Sequence, residues 1–408
     1  MPFLSNVPQH MPAIPENFAK EDAFIEAHLA ERVSDVALLL SRDKALDSAY
    51  ILRQIEGRQR LVGKVPSWTA VKGLRFPPRL SLEQCSGEFT ARYKATVVRN
   101  AVPGCGAMAD LTGGFGVDFS FLSPLFGKAY YVERQSVLCA AARHNFPLLG
   151  LKNAEIIEAD GLEFLKDLKE PLDFIFLDPA RRDEAGGKTV LIEDCTPNVA
   201  QEQSTILSKA SLALVKLSPM LDLTRALHTL SHVCEVHVVS ENRECKELLL
   251  LLDAAHTGEP RIVCADENGV FSFLHSEEAA ATPLYADAPE TYLYEPNAAI
   301  MKAGAFKLAA TRFALKKLHP NSHLYTSEQF VENFPGRAFR VLRQSGCGKR
   351  ELKKLVAATP KANLTVRNFP ETVANLRRRI GLREGGNEYW FATTNAKGEH
   401  LMICCERV

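Results

Sequence analysis

The residues best suited to chemistry are four acids that each close an apolar run: Asp110, Glu133, Asp160 and Asp178. The first lies in Ala109-Asp110-Leu111-Thr112-Gly113-Gly114-Phe115-Gly116-Val117-Asp118, where an apolar strand turns sharply into a helix. Gly114 and Gly116 allow positive φ and close approach of backbone to a ligand, and Asp110 at the strand end can accept a hydrogen bond from a cation. This is a nucleotide-type cofactor loop. A dinucleotide fits it poorly, because the G-x-G-x-x-G fingerprint needs a third glycine where this chain has Phe119. In Tyr130-Tyr131-Val132-Glu133 a carboxylate can take both hydroxyls of a ribose, and Ile156-Ile157-Glu158-Ala159-Asp160 places an acid where an adenine amino group could be held. S-adenosylmethionine is therefore the better candidate. The fourth run, Phe174-Ile175-Phe176-Leu177-Asp178-Pro179-Ala180-Arg181, completes the series. Four such runs separated by helical stretches describe a parallel sheet whose carboxyl edge binds the ligand.

On these residues the chain resembles the class I S-adenosylmethionine-dependent methyltransferases over roughly residues 80 to 275. The resemblance implies an α/β fold with a Rossmann-like seven-stranded sheet. It also implies that Asp110, Gly114 and Gly116 border the methionine part of the cofactor, that Glu133 binds its ribose and that Asp160 binds its adenine. Thr112, Gly113, Phe115, Arg134, Gly161 and Asp178 join that cofactor-binding set. Asp178-Pro179-Ala180-Arg181 sits where the family carries an (Asp/Asn)-Pro-Pro-aromatic or related active-site motif. Alanine replaces the second proline and arginine the aromatic, so a base sandwiched on an aromatic ring is not assumed. The chain is also similar to a bacterial subfamily with a carboxyl-terminal THUMP-like domain. The marks are Glu83-Gln84-Cys85-Ser86, Thr90-Ala91-Arg92-Tyr93-Lys94, Asp178-Pro179-Ala180-Arg181-Arg182 and Lys216-Leu217-Ser218-Pro219-Met220.

Methyl transfer from a sulfonium needs in-line placement of a nucleophile and exclusion of water, because the leaving group departs neutral. Few catalytic side chains are expected. Asp178 with the Pro179 and Ala180 carbonyls can accept hydrogen bonds from an exocyclic amine and leave its lone pair facing the methyl group. Arg181 and Arg182 are suited to a phosphate or a base edge. Lys216, Ser218 and Asp222 lie at the end of the next strand and so on the same edge. A strand-end cap for Asp178 and a surface ion pair for Arg182 are the competing structural readings. Carbon-5 methylation of a pyrimidine would need a thiolate, and Cys195, expected at a helix start after Gly186-Gly187, is the nearby candidate. Nitrogen methylation of a nucleobase in RNA, in tRNA or rRNA, leads. A small-molecule methyltransferase and an S-adenosylmethionine- and RNA-binding protein without turnover are the alternatives.

Charge points the same way. The formal net charge is zero, yet residues 301–408 hold 20 Lys and Arg against 8 Glu and no Asp, leaving 29 basic against 41 acidic residues before them. A block of +12 attracts polyanions through counterion release, with Arg377 and Arg378 as expected substrate contacts. A solvated basic face docked on the acidic remainder is the competing account. Hydrophobic content of 46% and charged content of 24% are those of a soluble globular protein, and 408 residues exceed one ordinary core. The first residues lack the basic start and apolar core of a secretion signal, and no run approaches a membrane span, so a cytoplasmic protein is expected. Ten cysteines without a C-x-x-C pair suit buried thiols, and no metal site is expected.

The elements that must position these residues follow from periodicity. Residues 16 to about 60 repeat apolar positions at three- and four-residue steps, and Leu82 to Val98 reads as a second helix capped by Ser81. Segments 129–133, 154–159, 172–178, 212–218, 234–240 and 261–274 read as strands with helices between them, Asn268-Gly269 marking a hairpin. Beyond Pro283, Ala298 to Leu318 looks helical. After it come strands at 337–342, 363–368, 388–393 and 400–405 and basic helices at 349–358 and 372–380. The expected division is a helical region at 1–95, a methyltransferase domain at 96–280, a small ferredoxin-like segment at 281–325 and a basic THUMP-like α+β domain at 326–408.

Overall fold

The computed structural model describes residues 19–43, 45–102, 104, 106–181 and 191–408. These fall into two compact units, one running through Val233 and including Leu249–Thr257, the other comprising Cys234–Leu248 and Gly258–Val408.

The first unit begins with helices α1 (Ala19–His28), α2 (Val33–Leu40), α3 (Ser48–Leu61), α4 (Pro66–Thr69), α5 (Arg79–Gln84) and α6 (Glu88–Ala101). The long helical pattern up to residue 60 is thus three helices. The side chain of Asp47 accepts the Tyr50 N–H at 2.9 Å and starts α3, while Ile25, Val36, Leu40, Ile51 and Ile55 form the core that clamps the three together. The expected helix from Leu82 to Val98 is broken at Cys85-Ser86-Gly87, and Pro78, rather than Ser81, occupies the cap position of α5. Trp68, Phe76, Leu82 and Ala91 pack with Phe115 and Val117 in a second cluster.

The α/β portion follows as β1 (Ala107–Asp110), α7 (Val117–Leu122), β2 (Lys128–Glu133), α8 (Ser136–Leu148), β3 (Ala154–Glu158), α9 (Gly161–Asp167) and β4 (Leu172–Leu177). The short strands β5 (Ala180–Arg181) and β6 (Cys195–Thr196) pair antiparallel, and α10 (Val199–Lys209), β7 (Ala210–Leu217) and α11 (Leu223–Thr229) complete the run. The sheet order here is β3-β2-β1-β4-β7, and every one of these pairings is parallel. Phe174, Ile175, Phe176 and Leu177 are all buried, as expected of a strand covered on both faces by helices.

Next come β8 (Val233–Glu241) and β9 (Glu244–Asp253), joined at Asn242 and Arg243, whose φ values of 52° and 68° make the tight turn of a two-residue hairpin. Sequence periodicity assigns 244–252 to the helical intervals; it is a strand. Leu248 to Leu252 are five consecutive buried leucines, and an apolar run hidden on both faces carries no periodic signal to separate strand from helix. The end of β9 lies beside β7.

In the second unit β8 pairs in parallel with β10 (Arg261–Asp266), which pairs antiparallel with β11 (Gly269–Leu274). The second sheet is built from α12 (His275–Ala280), β12 (Leu284–Tyr285), β13 (Tyr292–Pro296), α13 (Ala298–Ala303), α14 (Phe306–Arg312), β14 (Lys316–Lys317), β15 (Tyr325–Ser327) and β16 (Gly336–Gly346). It continues with α15 (Lys349–Ala358), β17 (Asn363–Arg367), α16 (Val373–Ile380), β18 (Glu388–Thr394) and β19 (His400–Arg407). Its order is β12-β14-β15-β13-β16-β19-β18-β17. The helix expected from Ala298 to Leu318 stops at Gly304, which takes φ 78°, and resumes as α14. The Glu278 carboxylate starts that second helix by accepting the Lys307 and Leu308 N–H groups at 2.8 and 2.7 Å. Leu352, Leu355 and Leu376 seat α15 and α16 on Leu364, Trp390 and Met402.

Candidate active site

The turn after β1 is held open by backbone and by absent side chains. Gly114 and Gly116 take φ 56° and 85°, the left-handed region expected of both. Gly113 donates its N–H to the Val132 carbonyl at 2.9 Å, and a Cβ there would fall 2.4 Å from the Tyr131 ring. A Cβ on Gly161 would meet the Leu111 carbonyl oxygen at 2.2 Å, so the start of α9 touches the β1 turn through bare backbone.

Around that turn the acids converge. Asp110 is buried and accepts the Thr112 N–H at 3.0 Å; burial pushes its carboxyl well above the usual range, the Thr112 bond opposes this, and nearby Asp118, Asp178 and Glu133 push further upward. Glu133 uses one oxygen for the Gly114 N–H and the other for the Gln135 N–H, both at 2.9 Å. Tyr131 donates its hydroxyl to the Gly114 carbonyl. Asp160 is exposed and caps α9, accepting Leu162 and Glu163 N–H groups on Oδ1 at 2.9 and 3.3 Å.

Asp178 stands just beyond β4, and its backbone N–H donates to Thr112 Oγ1 at 2.6 Å. Its Oδ2 lies 2.5 Å from Lys216 Nζ. Lys216 also faces Asp118 at 3.6 Å, and Asp118 pairs on its other side with Lys94 at 3.2 Å and accepts the Ser86 hydroxyl at 2.6 Å. Burial alone would raise the Asp118 carboxyl, but Lys94, Lys216 and Ser86 outweigh it and hold it below the usual carboxylate range. Sequence reasoning missed Lys94 and Asp118 as site residues. The available signal was a cation in an apolar stripe: Lys94 shares the buried face of α6 with Ala91, Ala95 and Val98.

The remaining predicted residues are placed as follows. The Phe115 ring packs edge-on against Trp68, with centroids 5.0 Å apart, so only its backbone borders the turn. Arg134 is exposed beyond β2. Pro179 is buried, and Ala180 and Arg181 form β5; the side chain of Arg181 and all of Arg182 and Gly186-Gly187 lie outside the described residues. Ser218 accepts the Met220 N–H at 3.2 Å in a local turn, and Asp222 caps α11 through the Arg225 N–H at 3.0 Å. Cys195 is in β6, opposite Arg181, rather than at a helix start, and it is buried. Arg377 and Arg378 sit on α16: Arg377 donates to the Ala362 carbonyl at 3.3 Å and Arg378 is exposed.

These groups fit S-adenosylmethionine. The chain offers a glycine turn that a Cβ would fill, a deeply buried carboxyl at Asp110 suited to a cationic partner, and at Glu133 two oxygens already oriented by backbone donors. When bound, the cofactor supplies a methyl group on a positively charged sulfur. No helix among the described residues is long and apolar enough to cross a membrane.

Comparison with known proteins gives the family. Residues 292–335 match the model of a ferredoxin-like domain and residues 336–407 that of a THUMP-like domain, each beginning later than the boundary expected from sequence. The chain is 34% identical to a solved "putative methyltransferase" from Porphyromonas gingivalis W83, covering 95% of this chain and 98% of that one with a TM-score of 0.86. It is also 27% identical over 122 residues to a "probable cobalt-precorrin-6B C(15)-methyltransferase (decarboxylating)" of Sulfolobus acidocaldarius. That match takes in 30% of this chain and spans 57% of the relative's length. The chain belongs to the class I S-adenosylmethionine-dependent methyltransferases whose carboxyl end carries a ferredoxin-like segment and a THUMP-like domain.

Proposed function

We propose that this chain methylates a nucleobase nitrogen in RNA, taking the methyl group from S-adenosylmethionine, and that its carboxyl-terminal module grips the RNA. The observation that carries the reading is the coexistence in one chain of a glycine-and-carboxylate cofactor rim with a THUMP-like domain bearing exposed cations. Lys349, Arg350, Lys353 and Lys354 on α15 and Arg378 on α16 are all exposed, while Arg379 is spent on Glu371 at 2.8 Å. Such a face recognises phosphates without reading sequence. The role of Asp178 is to accept a hydrogen bond from an exocyclic amine, with Asp110, Glu133 and Asp160 disposed toward the donor. The division into residues 1–95, 96–280, 281–325 and 326–408 is kept as a functional proposal: cover, catalysis, spacer and grip.

A second reading, a small-molecule acceptor, is favoured by the likeness to the precorrin methyltransferase over 122 residues. Mass spectrometry of modified nucleosides in RNA from cells with and without the protein separates the two. Loss of one methylated nucleoside supports RNA and names the atom; an unchanged profile in RNA and DNA supports the small molecule.

A further inference from the structure

Lys94, Asp118, Lys216 and Asp178 alternate in charge along one line through the methyltransferase sheet. Lys94 comes from α6, Asp118 from α7, Lys216 from the end of β7 and Asp178 from the end of β4. Successive ion-pair distances are 3.2, 3.6 and 2.5 Å, and side-chain exposure rises along the line from 0% through 10% and 13% to 38%. Only the last member is open to an incoming molecule. Buried ion pairs are poor stabilisers, because desolvation offsets most of the Coulomb attraction. Stability alone therefore does not account for two buried charges and a largely shielded lysine behind one open carboxylate. A lone lysine beside Asp178 would swing on its four-carbon stem; Asp118, itself fixed by Lys94 and the Ser86 hydroxyl, ties the ammonium from behind.

We propose that Lys216, anchored by Asp118 and Lys94, is a positioning residue for methyl transfer: it occupies Oδ2 of Asp178 and so directs Oδ1 toward the amine of the acceptor. The amine then donates to Oδ1 and its lone pair faces the donor. The nitrogen lone pair forms the N–C bond as the S–C pair returns to sulfur, and the surplus proton on nitrogen passes to water at the open end of the line. The N-terminal helical region, through Lys94 and Ser86, is on this account part of the catalytic apparatus. The inference rests on the methyl-transfer reading above.

The test uses the full chain with tritiated S-adenosylmethionine and three acceptor fractions from cells lacking the protein: RNA, DNA and small molecules. Wild type, Lys216→Met, Lys216→Arg, Asp118→Asn and Lys94→Met are compared on whichever fraction wild type labels. Lys216→Met is expected to lower kcat by about tenfold or more with KM for the donor within about threefold, as for an interaction made in the transition state. Lys216→Arg should recover part of the loss, because it restores the charge. Should Lys94→Met fail to fold, the Lys216 pair still decides the matter from the less buried end. Unchanged kcat in Lys216→Met, or no advantage of Arg over Met, overturns the inference alone. Label in the small-molecule fraction with impaired variants overturns the RNA acceptor alone, and no label in any fraction overturns both.

Discussion

The backbone N–H of Asp178 donates to Thr112 Oγ1 at 2.6 Å across 66 residues of chain. This bond ties the segment that carries the open carboxylate to the glycine turn after β1, so on the proposed function the donor and acceptor sides share one register. Thr112→Val keeps the shape and removes the acceptor. It is expected to cost about 1–3 kcal/mol, the penalty for an unsatisfied amide, in urea denaturation, and to slow methyl transfer more than Thr112→Ser does.

The raised carboxyl of Asp110 has a signed consequence. Its folded-state value lies above the unfolded one, so its contribution to stability is fully present below about pH 4 and is lost as pH rises toward the folded value. Asp110→Asn should therefore melt higher than wild type at neutral pH without ligand, the two curves meeting in acid. On the proposed function the same variant lacks the carboxylate that would pair with the cationic donor, and affinity for S-adenosylmethionine should fall by about tenfold or more by titration calorimetry. Equal melting temperatures at pH 7 would remove the burial argument.

Bare backbone contact at Gly161 should be intolerant of a methyl group. Gly161→Ala places a Cβ 2.2 Å from the Leu111 carbonyl oxygen, and a strain of about 1–3 kcal/mol is expected by urea titration. Gly63, with nothing within 4 Å of its would-be Cβ, is the control and should accept alanine nearly neutrally.

For the exposed cations, the prediction concerns salt. Replacing Lys353, Lys354 and Arg378 by Ala together should weaken RNA binding and lower the slope of log K against log salt by about one for each phosphate that is no longer neutralised. Binding of S-adenosylmethionine should be unchanged. A slope that does not move would assign the RNA to another face.

The rim is readable in the sequence because its residues are conspicuous in order: an acid at the end of each apolar run and glycines where no side chain fits. Thr112 and Glu133 stand out in that series, although their bonds to Asp178 and Gly114 connect residues far apart and have no local signature. Lys94 and Asp118 stay hidden because a buried charge looks like a surface one until its partner is placed. Gly304 ends a helix that composition alone continues, and the leucines of β9 give no period to read. In the THUMP-like part the helix at 349–358 and the starts of the strands at 363, 388 and 400 are legible, whereas the strand expected at 337–342 runs on to Gly346 and Thr372 caps its helix instead of opening it.

Strand β13 pairs with β16 from Tyr292↔Arg340 to Pro296↔Gly336, so the seam between residues 335 and 336, where one family match ends and the next begins, runs through a continuous hydrogen-bonded ladder. Cutting there would bare two sticky edges rather than release two free modules. The two pieces therefore fold as one hydrogen-bonded unit, and a transplant of the THUMP-like part onto another protein must carry the smaller piece along with it.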